Sequence, residues 1–227
     1  MRSLLLSMLL CLALISCDGG GSDAGSPTSL QDVPRNRTLI LGITLMTDYD
    51  SFNPFILGTS SPGFDYQYEP LYFYNAYEEE DNVIPWIATG HEFNDDFTQV
   101  TIHIRKGVTW SDGHPWTAHD LKYTVDMLKA HAPELAFSTD MDTWVEKVEV
   151  PDDHTAVLTL RSSNPRFVFS YFTYNFGNGI HIVPKHVWEH QDPTNFKNLD
   201  LASGLPVVSG PYSLALSQPS PAALSHL

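Results

Sequence analysis

Residues 99–130 hold the feature that most limits what this chain can fold into. Val100, Ile102 and Ile104 alternate with polar positions across 99–105, the period of a strand with one buried face. Residues 106–115 then carry turn chemistry, with Asp112-Gly113 as a strong turn dipeptide. Gly107 and Gly113 permit tight turns, and Trp110 and Trp116 supply apolar mass to a loop that otherwise has little. Thr117 follows as a helix cap, with Asp120 where a capping box usually carries Glu or Gln. The helix is expected to run to about residue 130, with Leu121, Val125 and Leu128 on one stripe. Nothing in the stretch is a reactive constellation; it is a folding signature.

The flanking segments extend this mixed pattern. Residues 37–45 form a β-type run of branched apolar residues, and 47–54 a polar loop. The aromatic-rich stretch 64–77 reads as a short helix with an extended segment. Residues 145–150 and 155–160 are two strands around the hairpin Pro151-Asp152-Asp153-His154. A second helix is expected from Pro165 to about Tyr171, a short strand over 180–183, and a helix begun by Pro184, where a missing N–H costs nothing. Interspersed strands and helices make the class α/β or α+β, and no internal repeat appears.

Cysteine usage separates the N-terminus from the rest. Cys11 and Cys17 are the only two, so no disulfide, zinc–thiolate cluster or thiol nucleophile is expected in the folded part. Arg2 and the twelve-residue apolar stretch 4–15 resemble a signal peptide, too short to span a bilayer comfortably. Leu14-Ile15-Ser16-Cys17 resembles a bacterial lipobox, in which the Cys thiol accepts a diacylglyceryl group and a signal peptidase fits the small residue before it. The reading is a lipoprotein signal peptide over 1–17, then a Gly-, Ser-, Asp- and Pro-rich linker over 18–34 that reaches about 20–25 Å as a coil. The formal charge is −15, with 12 basic residues in the whole chain, which argues against a nucleic-acid partner.

In order along the chain, five landmarks resemble the oligopeptide- and dipeptide-binding family (family 5) of ABC-importer solute-binding proteins. They are Asp50-Ser51-Phe52-Asn53-Pro54, Glu69-Pro70-Leu71, the long stretch 104–121, Ile182-Val183-Pro184-Lys185-His186 and Ser209-Gly210-Pro211-Tyr212. The resemblance covers 37 to about 214. It implies an α/β fold: a periplasmic-binding-protein type II-like first lobe with an inserted α+β subdomain. The main subdomain is expected over 35–83 plus 180–214, and the insertion over 84–179. It also implies a two-lobed clamp well over twice this length, which closes on a ligand and presents it to a permease. Residues 215–227 do not resemble the family's continuation, so the expectation is an aberrant tail on a chain cut to its first lobe, its second lobe missing.

The resemblance implies a substrate-binding lipoprotein outside the cytoplasm, in the periplasm or at the cell surface. It would hold peptides or similar small solutes and be attached to the membrane through its lipid alone. Related readings are a β-oligosaccharide-, nickel- or haem-binding member of the family, or a non-functional fragment. The expected ligand contacts are Asp48 and Tyr49 after the first strand, Glu69 at a family position near the cleft, and Tyr174 and Asn175. Tyr174 lies in, and Asn175 beside, an aromatic cluster, Tyr171, Phe172, Tyr174 and Phe176, that reads first as core packing, with a stacking platform as the alternative.

No cofactor, catalytic group or metal site is expected. Ser111, Asp112 and His114 are triad residue types but crowd one turn, and no nucleophile-elbow motif is present. His186 and His190 have the spacing of a zinc pair on a helix, but Val187 stands where the metalloprotease motif has Glu and no third ligand is evident. The acidic run 78–81 reads as a solvated loop.

Overall fold

The computed structural model describes residues 51–56, 66–175 and 178–215. The expected strand over 37–45, the anchor Cys17 and the contact residues Asp48 and Tyr49 lie outside them.

The largest element is a four-stranded antiparallel sheet in the order β3-β4-β6-β5, formed by β3 (Ala88–Phe93), β4 (Gln99–Ile104), β5 (Val145–Asp152) and β6 (Thr155–Leu160). The alternation in β4 sets its register. Val100 faces Leu158 and Ile102 faces Ala156 across the β4–β6 pair, and all four are fully buried. Helix α1 (Ala118–Ala130) covers that face, burying Leu121, Val125 and Leu128, and packs on β5, β6 and α2 (Ser138–Trp144). Each such side chain contributes roughly 1.5–3 kcal/mol by leaving water.

The turn between β4 and α1 is held by a buried carboxylate. Asp120 Oδ2 accepts from Thr117 N–H at 2.8 Å, which completes half of the expected capping box with Asp in place of Glu. Its Oδ1 accepts from Lys185 N–H at 2.9 Å, tying the helix start to a segment 65 residues on. Burial pushes the Asp120 carboxyl above the ordinary carboxylate range, against the lowering effect of these hydrogen bonds. Trp110 and Trp116 stack at 6.1 Å beneath the turn, both buried. Gly107 and Gly113 both take positive φ, the conformation that favours glycine.

A three-stranded sheet lies beside this block, in the order β2-β1-β7: β1 (Tyr72–Tyr74), β2 (Val83–Pro85) and β7 (Thr173–Tyr174). β1 runs antiparallel to β2 and parallel to β7. Helix α3 (Phe167–Tyr171) leads into β7.

The outer segments 51–56 and 66–71 knit to 193–210 largely through side-chain-to-backbone bonds. Asn53 Nδ2 donates to the carbonyls of Pro193 (2.9 Å) and Phe196 (2.8 Å). Asn198 Nδ2 donates to Phe52 O (3.2 Å) and to Tyr68 Oη (2.7 Å). Gln67 O accepts from both Ser209 N–H and Gly210 N–H. A Cβ on Gly210 would come within 2.7 Å of Tyr66 O and 2.8 Å of Gln67 O, so this close approach of two backbones requires glycine.

One expected element takes another form. Residues 180–183 are buried but are not a strand, and no neighbouring strand stands beside them among the described residues. Val183 N–H donates instead to Thr124 Oγ1 at 3.1 Å, and Ile180 N–H to Tyr171 O at 2.8 Å. The apolar run signals burial, which a helix side and a loop satisfy as well as a ladder does. Pro184 caps α4 (Lys185–Trp188), and Trp188 packs edge-on against Phe55 and Phe196. No helix of the described residues is long and apolar enough to cross a membrane.

Candidate ligand-binding surface

The register of the small sheet places Phe73 opposite Ile84 on one side and Tyr174 on the other. Directly opposed residues point to the same face, so Ile84, Phe73 and Tyr174 form a row across three strands. β1 alternates: Tyr72 turns inward and is buried, while Phe73 turns outward and is half-buried. Trp86, just after β2, extends the row. Its ring meets Phe73 edge-on at 5.5 Å, and Phe73 meets Tyr174 at 6.2 Å in the same manner.

This row stays open. Ile84 is 41% exposed and Trp86 45% exposed, whereas Trp110, Trp116 and Trp188 are buried and Trp144 is partly buried against the core. A half-exposed indole beside two half-buried rings is an apolar surface that water covers poorly.

Glu69 borders the row. Trp86 Nε1–H donates to Glu69 Oε2, and Glu69 N–H donates to Ser209 Oγ at 3.0 Å, which fixes the backbone behind the carboxylate. Partial burial pushes the Glu69 carboxyl above its ordinary value; the bond from Trp86 pulls the other way and does not cancel it. Arg105 Nε–H donates to Trp86 O at 2.7 Å and pins the residue from behind.

Of the residues expected from sequence, the structure therefore brings Glu69 and Tyr174 to one surface, bridged by Trp86 and Phe73. Asn175 adjoins Tyr174, but its Nδ2 donates to Thr173 O (3.1 Å) and Phe169 O (3.3 Å), and its backbone pairs with Asn178. That amide shapes the turn. Within the aromatic cluster, Phe172 is buried and belongs to the core, while Tyr171 Oη donates to Asp140 Oδ1 at 3.0 Å. Phe73, Ile84 and Trp86 were missed by sequence reading. The available signal was the aromatic run Tyr72-Phe73-Tyr74 and a Trp directly after Pro85.

The residues of triad type are placed for other work. Ser111 Oγ accepts from Val208 N–H at 3.0 Å while Ser111 N–H donates to Val208 O, a reciprocal bond that holds two loops together.

Residues 82–223 match the family of bacterial extracellular solute-binding proteins, family 5 Middle. A probable peptide-binding protein, YejA, of Agrobacterium fabrum is 30% identical over 190 residues, covering 82% of this chain and 29% of the relative. The crystal structure of the periplasmic oligopeptide-binding protein of an oligopeptide ABC transporter from Thermotoga maritima is 30% identical. It superimposes with a TM-score of 0.64 over 78% of this chain and 31% of that one. The mannohexaose-bound form of that Thermotoga protein gives 28% identity and a TM-score of 0.63, over 79% and 31%. The chain thus spans about 30% of the length of the relatives it matches. The fold is that of part of a type II periplasmic binding protein, and these relatives and structural neighbours are binding proteins.

Proposed function

Because the chain belongs to family 5 of the bacterial extracellular solute-binding proteins, we propose that it captures peptides or similar small solutes for an ABC importer and catalyses no reaction. The observation that carries this reading is the open row Ile84–Phe73–Tyr174 with Trp86 and Glu69 at its end. Peptides of varied sequence share a backbone, an N-terminal ammonium and scattered apolar side chains. An edge-to-face aromatic row accepts apolar groups of many shapes, and an aromatic side chain pairing with it adds about 0.5–1.5 kcal/mol beyond area burial. The Glu69 carboxylate beside it offers acceptors to a peptide N–H or ammonium. Asp48 and Tyr49 are proposed as further contacts on the residues' own chemistry, and Asn175 as a positioning residue for Tyr174.

A second reading is an oligosaccharide ligand. The same rings suit the apolar faces of sugars, and the Thermotoga neighbour is one that was crystallised with mannohexaose. Heteronuclear NMR of the purified chain, titrated to tens of millimolar with short peptides and, separately, with mannohexaose, tests both. Saturable shifts at lower peptide than sugar concentration support the first reading, and the reverse supports the second. No shift with either counts against both.

The division into a main subdomain (35–83 plus 180–214) and an inserted one (84–179) is proposed, with the small sheet as the seam between them. We also propose that Cys17 is the lipidated N-terminus and that residues 18–34 tether the folded part, outside the cytoplasm, to the membrane and near the permease. Several acyl chains on one Cys give stable anchoring where one chain is marginal. Mass spectrometry and membrane partitioning of wild type against Cys17→Ala test this: equal partitioning of the two rejects the anchor.

A further inference from the structure

A second cluster, outside the aromatic row, joins the turn before α1 to α4. Asp112 Oδ2 lies 2.7 Å from His186 Nε2 and 3.3 Å from His114 Nδ1. The two imidazoles stack at 4.1 Å with 22° between their planes. The three potential ligand atoms lie within 4.8 Å of one another.

We propose that Asp112, His114 and His186 form a surface site for a divalent transition-metal ion of zinc type, with a fourth position open to solvent. Two ring nitrogens and one carboxylate oxygen are a donor set that zinc takes readily, and three protein ligands plus one open position is an established zinc arrangement. Tetrahedral bonds of about 2.0–2.1 Å put ligand atoms roughly 3.3 Å apart. The 3.3 Å separation matches that value, and the 2.7 Å one is a hydrogen-bond distance that lengthens when an ion takes the proton's place; rotation of the two rings out of their stack turns both nitrogens toward a common point.

The scaffold is already built. Asp112 Oδ1 accepts from His114 N–H at 3.1 Å, which leaves Oδ2 to face both rings. The turn is closed by Trp110 N–H to His114 O at 2.8 Å and Gly113 N–H to Trp110 O at 2.9 Å. On the other side, the bond from Lys185 N–H to Asp120 fixes the residue next to His186. Such pre-positioning reduces the ordering cost of binding. His190, the helical neighbour that sequence spacing pairs with His186, is exposed and lies instead near Glu189, at 3.9 Å. Asp112 stands 74 residues from His186 in the sequence, a pairing that helical spacing cannot show.

The test is a titration of the full chain with Co²⁺, read by visible absorption, and with Zn²⁺, read by calorimetry and thermal melting. The expected result is saturable binding of one ion per chain, Co²⁺ bands of a low-coordinate site, and a higher melting temperature with Zn²⁺. His114→Ala and His186→Ala should each weaken binding at least tenfold, and His190→Ala should leave it unchanged. Asp112→Asn, which retains an acceptor for His114 N–H, gives the same loss and serves where an alanine variant does not fold. Absence of saturable binding up to millimolar metal, binding that survives both His114→Ala and His186→Ala, or an equal loss in His190→Ala overturns the site.

Discussion

The four-stranded sheet with α1 and the three-stranded sheet beside it differ in how completely they are satisfied. In the first, β4 and β6 pair Val100 with Leu158 and Ile102 with Ala156 under a helix, and the connecting turn is wired through Asp120. In the second, strands of two and three residues leave Phe73, Ile84, Tyr174 and Trp86 at the surface. A closed block gains stability from its burial. An open row gives some of that up and keeps apolar surface for something else to cover. The comparison predicts that damage to the block costs stability, while damage to the row costs binding.

The largest stability loss is expected from Asp120→Ala. It strands the Thr117 and Lys185 N–H groups, each costing about 1–3 kcal/mol when left unmade, so a total of roughly 2–4 kcal/mol is expected in urea unfolding. A change within about 0.5 kcal/mol contradicts the role given to this carboxylate. Next comes Gly210→Ala. The new methyl meets the Tyr66 and Gln67 backbones, and overpacking of this kind costs roughly 1–3 kcal/mol. A thermal melt of this variant that overlays wild type means the two segments part without strain.

Most of the block was legible in the sequence, β3 and α2 excepted, and the row was only half so, for a physical reason. Residues 99–130 and 145–160 announce themselves through period, turn dipeptides and a cap, all of which act within a few residues, and β4, α1, β5 and β6 form there. The row depends on the register of three short strands, one of them about 100 residues from the others. Glu69 and Tyr174 were reached through a family resemblance and an aromatic count; Phe73 and Trp86 show only as aromatic residues near a turn until β1 is paired with β2 and β7. For the same reason the apolar run at 180–183 signalled burial but not the hydroxyl of Thr124 that replaces a ladder partner.

Trp86→Ala sharpens the comparison from the other side. A side chain already 45% exposed stabilises the fold little, so the urea midpoint should move by less than the equivalent of about 1 kcal/mol while ligand binding falls at least tenfold. A large loss of stability places Trp86 with the core instead. The smallest effect is expected from Glu69→Gln. The folded protein binds the Glu69 proton more tightly than the unfolded chain, because burial raises its pKa, against the opposing bond from Trp86. The carboxyl's contribution to stability is therefore complete below the ordinary Glu value of about 4.3 and declines as pH rises through the raised folded value. Tryptophan fluorescence should show a step above the ordinary carboxylate range in wild type, absent in Glu69→Gln; an identical titration in both removes Glu69 from the indole's surroundings.

The most direct measurement of the central claim follows the five tryptophan indole N–H signals by heteronuclear NMR while short peptides are added. A ligand resting on this open row keeps much of its surface in water, so binding weaker than about millimolar, or −4 kcal/mol, is expected and remains visible by this method. The Trp86 signal, assigned by its loss in Trp86→Phe, should shift saturably together with the backbone signals of Glu69, Phe73, Ile84 and Tyr174, while the indole signals of Trp110, Trp116, Trp144 and Trp188 stay in place. Shifts centred on residues 99–160, or none at tens of millimolar peptide, contradict the assignment of the open aromatic row as the ligand-binding surface.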